Sequence, residues 1–403
     1  MSSRLPSPAE AEAAIRQHAT LLPAVHLPLT ELSGAVLRES VTSTRDQPPF
    51  DRVTMDGIAF SFESWQNGRN SFRIAGTQAA GAAPLTSREP GDCIEVMTGA
   101  MLPIGCDCVV PVENIDVSDG VAQLRDDAPA PVRNLNIHNR GIDSRRGDLL
   151  LPSGCRLGPA EVAVIASNGQ THALVSRPPR IVVISTGDEL VEPGQPLQDW
   201  QISRSNVYAV LASLRRHGYA ALSHDHVPDD LPKLRERLRS HLAANDVMIL
   251  SGGVSMGRFD YVPQVLQELG VRMIFHKVAQ RPGKPLWFGV GSGGQTVYAL
   301  PGNPVSTLVC LTRYVLPGLQ AAQGATPIAV ETVSLAQSYE VKPALAVFLP
   351  VTLTHTVAGQ SAMPHPTRGS GDFTSLVGTV GFVELPPGPR VVMEDASLPL
   401  YRW

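Results

Sequence analysis

The sequence lacks the features that mark secreted, membrane and zinc-binding proteins. It has only five cysteines, an odd number without paired CxxC spacing, which favours reduced structural thiols over a disulfide framework or a zinc site. No stretch approaches the roughly 18 apolar residues that a membrane-spanning helix needs. Residues 1–20 carry charges and prolines instead of the apolar core of a signal peptide. We therefore expect a cytoplasmic protein.

A strong net charge is also absent. The chain has 33 basic and 37 acidic residues and a formal net charge of −4, so no global basic field favours nucleic acid or an anionic membrane as a partner. Aromatic residues make up 5%, whereas glycine and proline each occur 35 times, which indicates many turns and β-rich parts. The 403 residues can form two to four domains.

The first 180 residues predict helices at the start and β-structure afterwards. Ser7-Pro8-Ala9-Glu10 is typical of a helix start with a capping box, and this helix should end near Leu22. A second helix is predicted from Glu31 to Ser40. Short apolar runs separated by glycine and proline, from Val41 to about Arg133, indicate an all-β region.

After residue 177 the pattern alternates between strands and helices. Apolar runs at residues 181–185, 220–223, 247–250, 273–278, 286–290 and 297–300 alternate with amphipathic segments or polar loops. This pattern predicts a three-layer, doubly wound α/β domain. Residues 324–403 alternate with a period of two and predict a separate β domain.

The run from Asp246 to Tyr261 combines a buried strand, a glycine turn and a helix start. Gly252 and Gly253 can take positive φ, and their N–H groups could approach an anion closely. An ordinary tight turn between a strand and a helix is the alternative. Open α/β sheets bind ligands at such strand ends, so we interpret the turn as a ligand cradle.

Carboxylates follow three of the predicted strands. Asp188 and Glu189, Asp229 and Asp230, and Asp260 all lie just past strand ends or at helix starts. Carboxylates that converge repel one another unless a cation intervenes, which favours a Mg²⁺ site completed by substrate phosphates. Helix capping is the alternative for each residue taken singly.

Basic side chains are predicted at the same sheet edge. Lys277, Arg281 and Lys284 lie in or beside a loop that Pro282 and Pro285 stiffen. Fixed cations beside glycine N–H groups suit an oxyanion or a phosphate. Together with a metal, they predict phosphoryl or nucleotidyl chemistry.

Motifs along nearly the whole chain resemble those of molybdopterin molybdenumtransferases, the MoeA proteins and the gephyrin E domain. The matching segments are Thr54-Met55-Asp56-Gly57, Met97-Thr98-Gly99-Ala100, Ser185-Thr186-Gly187-Asp188-Glu189-Leu190, Ser251-Gly252-Gly253-Val254-Ser255-Met256-Gly257, Pro282-Gly283-Lys284-Pro285 and Leu300-Pro301-Gly302-Asn303-Pro304-Val305-Ser306. The Ser-Gly-Gly turn alone is less specific, because MogA-like adenylyltransferases share it.

The resemblance implies an enzyme that takes adenylylated molybdopterin and molybdate, needs Mg²⁺, and releases AMP and the molybdenum cofactor. It also implies a homodimer, with a MogA-like adenylyltransferase and recipient molybdoenzymes as further partners. The implied domains are a helical dimerisation domain (residues 1–44 and 138–176), an inserted β domain (45–137), a MogA-like α/β domain (177–323) and a C-terminal β domain (324–403).

The same resemblance implies roles for individual residues. Catalytic roles fall on Asp56, Asp143, Glu189 and Asp260, and metal ligation on Asp188, Glu189, Asp229 and Asp260. Substrate contacts fall on Thr98, Ser251, Gly252, Gly253, Ser255, Lys277, Arg281, Lys284, Pro285, Asn303, Ser306 and Ser370. Asp56, Thr98 and Asp143 are expected to reach the cleft of the partner subunit.

Two positions depart from the family pattern. Ile142 stands in Gly141-Ile142-Asp143 where the family usually has glutamate, and Pro350 stands where the family tends to have an arginine associated with molybdate. Loss of that cation should weaken oxyanion binding. The alternative hypothesis is therefore a divergent paralogue that binds the molybdenum cofactor or scaffolds a partner with little or no catalysis.

Overall fold

The computed structural model describes residues 4–253, 261–356, 359–369 and 371–403. The chain forms two compact units. The first contains Met1–Glu39, Gly154–Gly158 and His172–Trp403, and the second contains Ser40–Ser153 and Pro159–Thr171. Within the described ranges, no helix is long and apolar enough to cross a membrane.

The N-terminal helix forms at the predicted capping box. Helix α1 (Pro8–His18) is capped by Ser7, whose side chain accepts from the Glu10 N–H while the Glu10 carboxylate accepts from the Ser7 N–H at 2.7 Å. Strand β1 (Ala24–Pro28) follows. The helix stops at His18 instead of near Leu22, because the backbone becomes extended at Ala19.

The predicted helix from Glu31 to Ser40 is wrong. A single 3₁₀ turn at Leu29–Glu31 is followed by non-helical chain. Gly34 has φ of 79°, and the N–H groups of Gly34 and Leu37 donate to the carbonyls of Leu157 and Cys155. Bonds to a distant segment therefore replace those of a helix.

The second unit is mainly β-structure, as the sequence predicted. Its strands are β2 (Val41–Thr42), β3 (Arg52–Val53), β4 (Gly57–Phe60), β5 (Ser71–Gln78), β6 (Asp92–Val96), β7 (Cys108–Pro111), β8 (Ile115–Ser118), β9 (Val121–Leu124), β10 (Ile137–His138) and β11 (Leu149–Leu151); its helices are α2 (Phe62–Gln66) and α3 (Pro159–Ser167). Six strands form one sheet in the order β7-β4-β6-β5-β9-β8. Ile58, Phe60 and Phe72 lie in its core.

The remaining elements of the α/β part follow β12 (His172–Ser176), which pairs with β1. They are β13 (Ile181–Thr186), β14 (Leu190–Val191), β15 (Ile202–Ser203), α4 (Asn206–Arg216), β16 (Leu222–Val227), α5 (Leu231–Ala244), β17 (Val247–Ser251), α6 (Val262–Glu268), β18 (Arg272–His276), β19 (Gln280–Arg281), β20 (Trp287–Val290), β21 (Thr296–Leu300), α7 (Pro304–Cys310), a π-helical turn (Leu311–Val315) and α8 (Leu316–Ala322).

These elements confirm the predicted three-layer fold. The sheet has the order β16-β13-β17-β21-β20-β18, in which β16, β13, β17 and β21 are parallel. Alternate side chains of β13 face opposite layers, because Val183 joins the core formed with α4 and Val182 joins the core formed with α5 and α6. Ala11 and Ile15 place α1 in the first of these cores.

The C-terminal residues form a closed sheet. The strands of this part are β22 (Glu331–Leu335), β23 (Tyr339–Val341), β24 (Ala346–Thr356), β25 (Gly359–Pro364), β26 (Gly381–Leu385), β27 (Arg390–Val392) and β28 (Ser397–Arg402). Strands β23 and β27 pair with each other in a separate two-stranded sheet. The order β24-β25-β22-β28-β26 closes through a further pairing of β24 with β26. Strand β19 of the α/β part pairs in parallel with β24, so the loop that carries Arg281 is built into this sheet.

All five cysteines are present as thiols, in line with the reduced state that the sequence predicted. Burial raises the pKa of the Cys93 and Cys106 thiols to about 12, so these two side chains stay protonated. They are not reactive thiolates, because the thiolate is the nucleophilic form.

An ion pair fixes the start of β17 to the segment before β13. The Asp246 carboxylate accepts hydrogen bonds from Arg177 and from the backbone and side chain of Arg180. Burial alone would raise the pKa of Asp246, but these bonds outweigh it and hold the pKa far below its ordinary value. The charged carboxylate therefore stabilises the fold.

We expect Asp246→Asn to lower the free energy of unfolding by on the order of 2 kcal/mol at pH 7. Because the folded-state pKa is depressed, this contribution is complete above about pH 4 and is lost as the pH falls further. Urea unfolding of both proteins at pH 7, 4 and 3 should show the difference shrinking below pH 4. A difference that stays constant with pH would contradict the role of the charge.

Candidate functional site

The carboxyl ends of four strands meet at one edge of the α/β sheet. In the register, Ser185 lies beside His226 and Ser251, and Ser251 lies beside Leu300. The loops that follow β13, β16, β17 and β21 therefore leave the sheet at the same level. Among the predicted site residues that the structure describes, these loops carry Asp188, Glu189, Asp229, Gly252, Gly253 and Asn303.

The glycine turn after β17 is tightly packed against β13. Gly252 and Gly253 have φ of 101° and 68°. A β-carbon on Gly252 would lie 2.7 Å from the Thr186 carbonyl oxygen, and one on Gly253 would lie 2.7 Å from Val262. Both glycines are thus required by the backbone. Gly302 approaches the same turn, which joins the β17 and β21 loops.

Two of the predicted metal ligands are in contact. The Asp229 N–H donates to Asp188 Oδ1 at 3.1 Å. Asp230 instead caps α5 by accepting from the Lys233 N–H, so the capping alternative is correct for that residue. Glu189 is exposed in the loop after β13. Asp260 and Ser255 lie outside the described residues.

Among the described residues, no group of three or more His, Cys, Asp or Glu side chains is close enough to hold a metal. Asp188 and Asp229 nevertheless fit Mg²⁺, which proteins commonly bind through one or two carboxylates while substrate phosphates and water complete the octahedron. The donor oxygens present therefore suit a metal that arrives with a phosphorylated substrate, and the full ligand set stays a prediction.

The buried side chain of Gln280 anchors the basic loop between β18 and β20. This side chain is fully buried, donates to the Pro282 carbonyl oxygen at 3.1 Å and accepts from the Tyr314 hydroxyl. Arg281 and Lys284 are exposed on the loop. The buried anchor holds the loop while both cations stay accessible.

This loop lines a cavity of about 620 Å³ that the C-terminal sheet closes from its other side. The predicted residues Arg281, Lys284, Pro285, Asn303 and Ser306 all line it. Lys277 follows β18 at the same sheet edge but does not line the cavity. Ser370 lies outside the described residues.

The opposite wall contains two cations that the sequence did not single out. Lys342 and Arg368 line the cavity together with Pro350. The His365 N–H donates to the Pro350 carbonyl oxygen at 2.8 Å, which brings the segment that carries Arg368 alongside Pro350. Four basic residues therefore line this cavity, with Glu340 as the one acidic residue among its described lining.

In the second unit, Asp56 and Thr98 form one cluster. Asp56 Oδ1 accepts from the Thr98 N–H at 2.6 Å and from the Thr98 hydroxyl at 2.8 Å, and these bonds lower the pKa of Asp56. Asp143 Oδ1 lies 2.8 Å from His138 Nε2. Ile142, at the position where the family usually has glutamate, is 60% exposed.

Comparisons with known proteins agree with this geometry. Residues 6–169 match the MoeA N-terminal region (domain I and II), and residues 182–321 match a probable molybdopterin binding domain. A molybdopterin molybdenumtransferase of a Synechocystis species is 39% identical over 375 residues, which are 92% of this chain and 93% of that protein. This chain belongs to the molybdopterin molybdenumtransferase (MoeA) family.

Other MoeA family members are more distant. A molybdopterin molybdenumtransferase of Staphylococcus epidermidis is 29% identical over 91% of this chain and 88% of its own length. A crystal structure of a molybdopterin biosynthesis MoeA protein from Pyrococcus horikoshii is 29% identical, with a TM-score of 0.78 and 99% of both chains covered. The predicted MoeA resemblance and the MogA-like α/β fold are confirmed.

Proposed function

We propose that the chain is a transferase that inserts molybdenum into adenylylated molybdopterin and releases AMP. One observation carries the proposal: the acidic and glycine-rich sheet edge lies beside a cavity with four basic residues in its wall. Carboxylates suit a metal ion, glycine N–H groups suit a phosphoanhydride, and basic side chains suit an oxyanion, so the reaction needs these three kinds of group together. The names of the relatives support the same activity.

Each part of the site has a separate task in this proposal. The N–H groups at Gly252 and Gly253 bind the nucleotide and pterin part of the substrate. Arg281 and Lys284 hold molybdate, which enters as a substrate, beside Asn303 and Ser306. Because the basic loop is fixed by buried Gln280, these cations lose little freedom when the anion binds.

Asp188 and Asp229 would hold Mg²⁺, with Glu189 and Asp260 completing the predicted set. When bound, the ion would neutralise charge on the phosphoanhydride oxygens. The two carboxylates would keep the ion at the sheet edge, where the loops after β13 and β16 meet through the bond from the Asp229 N–H to the Asp188 carboxylate. This arrangement leaves the remaining positions to the substrate and to water.

A homodimer is part of the proposal. Asp56, Thr98 and Asp143 would then act at the sheet edge of the partner subunit, which requires accessible side chains. Asp56 and Asp143 are indeed exposed. We further propose the four-domain division given above, a cytoplasmic location, and a MogA-like adenylyltransferase and molybdoenzymes as partners.

The test is release of AMP from adenylylated molybdopterin at varied molybdate and Mg²⁺, with tungstate titrated in parallel. We expect Lys284→Met to need roughly tenfold more molybdate for half-maximal release, because one charged hydrogen-bond donor is lost. Lys233→Met is the matched control, since Lys233 is exposed on α5 away from the cavity lining, and it should behave like the wild type.

The outcome also separates the enzyme from a scaffold paralogue. Binding of the molybdenum cofactor without AMP release under any condition would favour the scaffold. Equal molybdate dependence in Lys284→Met and the wild type would contradict the proposed oxyanion site.

A further inference from the structure

A second, smaller cavity lies behind the glycine turn. It has a volume of about 110 Å³ and is lined where the ends of β13, β17 and β21 meet the start of α4. Its polar lining includes Ser185, Thr186, Glu189, Arg204, Asn206 and Ser251. Neither the sequence motifs nor the proposed roles give Thr186 or Asn206 a function.

Two buried polar atoms in this lining have no hydrogen-bond partner among the described residues: Thr186 Oγ1 and Asn206 Oδ1. Thr186 is only 4% exposed. Buried polar groups in folded proteins are almost always paired, since an unpaired group carries a desolvation cost. Two such atoms lining one cavity make it suited to a polar ligand group.

The Asn206 amide is fixed in orientation. Its nitrogen donates to Ser251 Oγ at 2.9 Å and to the Gly302 carbonyl oxygen at 2.6 Å. Rotating the amide would place Oδ1 against the Gly302 carbonyl oxygen and lose that bond, so the nitrogen stays on this side and Oδ1 remains an acceptor. The Thr186 hydroxyl can donate as well as accept. The cavity thus offers one acceptor and one donor to a ligand.

The charges around the cavity favour a neutral ligand group. Arg204 is the one basic residue in its described lining, and it is already bonded to Ser185, Glu192 and the Asp225 carbonyl oxygen. Glu189 adds a carboxylate to the lining. The Asn206 amide oxygen is an acceptor, which a phosphate oxygen cannot pair with, whereas a hydroxyl or a lactam N–H can donate to it.

The cavity is within reach of a ligand on the glycine turn. A β-carbon built on Gly252 would lie 3.1 Å from Thr186 Oγ1, and one on Gly253 would lie 2.9 Å from it. The missing side chains therefore leave the hydroxyl next to the space where a ligand would contact the turn.

We propose that Thr186 and Asn206 form a polar subsite for a neutral group that both donates and accepts hydrogen bonds. This proposal rests on the proposed function, because the substrate supplies two such groups: a ribose hydroxyl and the lactam edge of the pterin. The subsite would fix the orientation of the substrate on the glycine turn and so act in specificity.

The test is isothermal titration of the full chain with AMP, 2′-deoxy-AMP, 3′-deoxy-AMP and 6-hydroxymethylpterin. Thr186→Val removes the hydroxyl with little change of shape, and Thr186→Ser keeps it. We expect Thr186→Val to bind either AMP or the pterin roughly three- to tenfold more weakly, whereas Thr186→Ser stays close to the wild type. If the ribose is the partner, one deoxy analogue already binds the wild type weakly and loses nothing more in Thr186→Val.

A structural role for the hydroxyl predicts a different result. Thr186 Oγ1 has no hydrogen bond to lose within the described parts of the chain, so Thr186→Val should melt at the same temperature as the wild type or higher. Unchanged affinity for both probes in Thr186→Val, no binding of either probe to the wild type, or a lower melting temperature in Thr186→Val would overturn the subsite.

The AMP-release assay tests the proposed function separately. If the wild type releases AMP but binding does not depend on Thr186, the proposed transferase activity stands and the subsite is contradicted. If binding depends on Thr186 but no AMP is released, the subsite stands and the transferase activity is contradicted.

Discussion

Asp188→Asn is expected to lower the rate of AMP release at limiting Mg²⁺ by roughly 100-fold, the upper end of the loss that follows disturbance of a metal site. Asparagine keeps an oxygen that can accept the Asp229 N–H, which donates to Asp188 Oδ1 in the protein. The variant should therefore fold normally and lose only the negative charge. Rates measured across a Mg²⁺ titration should show a higher Mg²⁺ requirement.

Asp230→Asn is the matched control for this variant. Asp230 lies in the adjacent loop but caps α5, and asparagine caps helices about as well as aspartate. We expect its rate and its Mg²⁺ dependence to equal those of the wild type. If Asp188→Asn also kept the wild-type Mg²⁺ dependence, Asp188 could not be a metal ligand.

The α/β sheet and its edge were predictable because strand and ligand signals coincide there. Apolar runs followed by loops that contain Asp188, Gly252 and Asn303 identify parallel strands. Parallel strands place their carboxyl ends on one edge of the sheet. The proximity of the loops follows from this topology alone. The capping box at Ser7 was predictable for a similar reason, since its two bonds involve neighbours in sequence.

Contacts between distant segments were not predictable. The pairing of Gln280–Arg281 with β24 and the bonds that replace a helix at Gly34 depend on parts of the chain far away in sequence. Lys342 and Arg368 line the large cavity only because the C-terminal sheet packs beside the basic loop. No local pattern distinguishes these two cations from solvated ones.

The structure changes the interpretation of Pro350, which stands where the family tends to have an arginine. A missing arginine at that position predicts weaker oxyanion binding. The bond from His365 to the Pro350 carbonyl oxygen places the Arg368 segment beside the same wall, so the cavity is lined by basic residues from both sides.

A buried ion network connects the helix after the site to the C-terminal sheet. Arg313 lies in the π-helical turn and is 3% exposed. It bonds to Glu12 of α1 and, at 3.0 Å, to Glu384 of β26, and its guanidinium lies 4.8 Å from the centre of the Tyr401 ring. Burial alone would lower the pKa of Arg313, but the carboxylates Glu384 and Glu12 outweigh it and raise the pKa.

Arg313→Met is expected to lower the free energy of unfolding by about 3–5 kcal/mol, because it leaves the Glu384 carboxylate without the buried cation that Arg313 supplies. Glu12 keeps its ion pair with Arg16 at 2.8 Å. The shift of the urea midpoint, followed by tryptophan fluorescence, measures this loss. Arg402→Met is the control: Arg402 pairs with Glu331 at the surface, where both side chains are more than 40% exposed, and such pairs contribute less than about 1 kcal/mol.

A further variant isolates the cause of the loss. Replacing Glu384 by glutamine in the Arg313→Met background removes the carboxylate that has lost its cation, so it should recover a large part of the stability. The network also bears on the site, since Glu384 pairs with Phe348 in the strand that lines the large cavity. Arg313→Met should therefore raise the molybdate needed for AMP release, and the glutamine variant should partly reverse this. If Arg313→Met lost no more free energy of unfolding than Arg402→Met, solvent would already stabilise the charges of Glu12 and Glu384, and the network would not account for the stability.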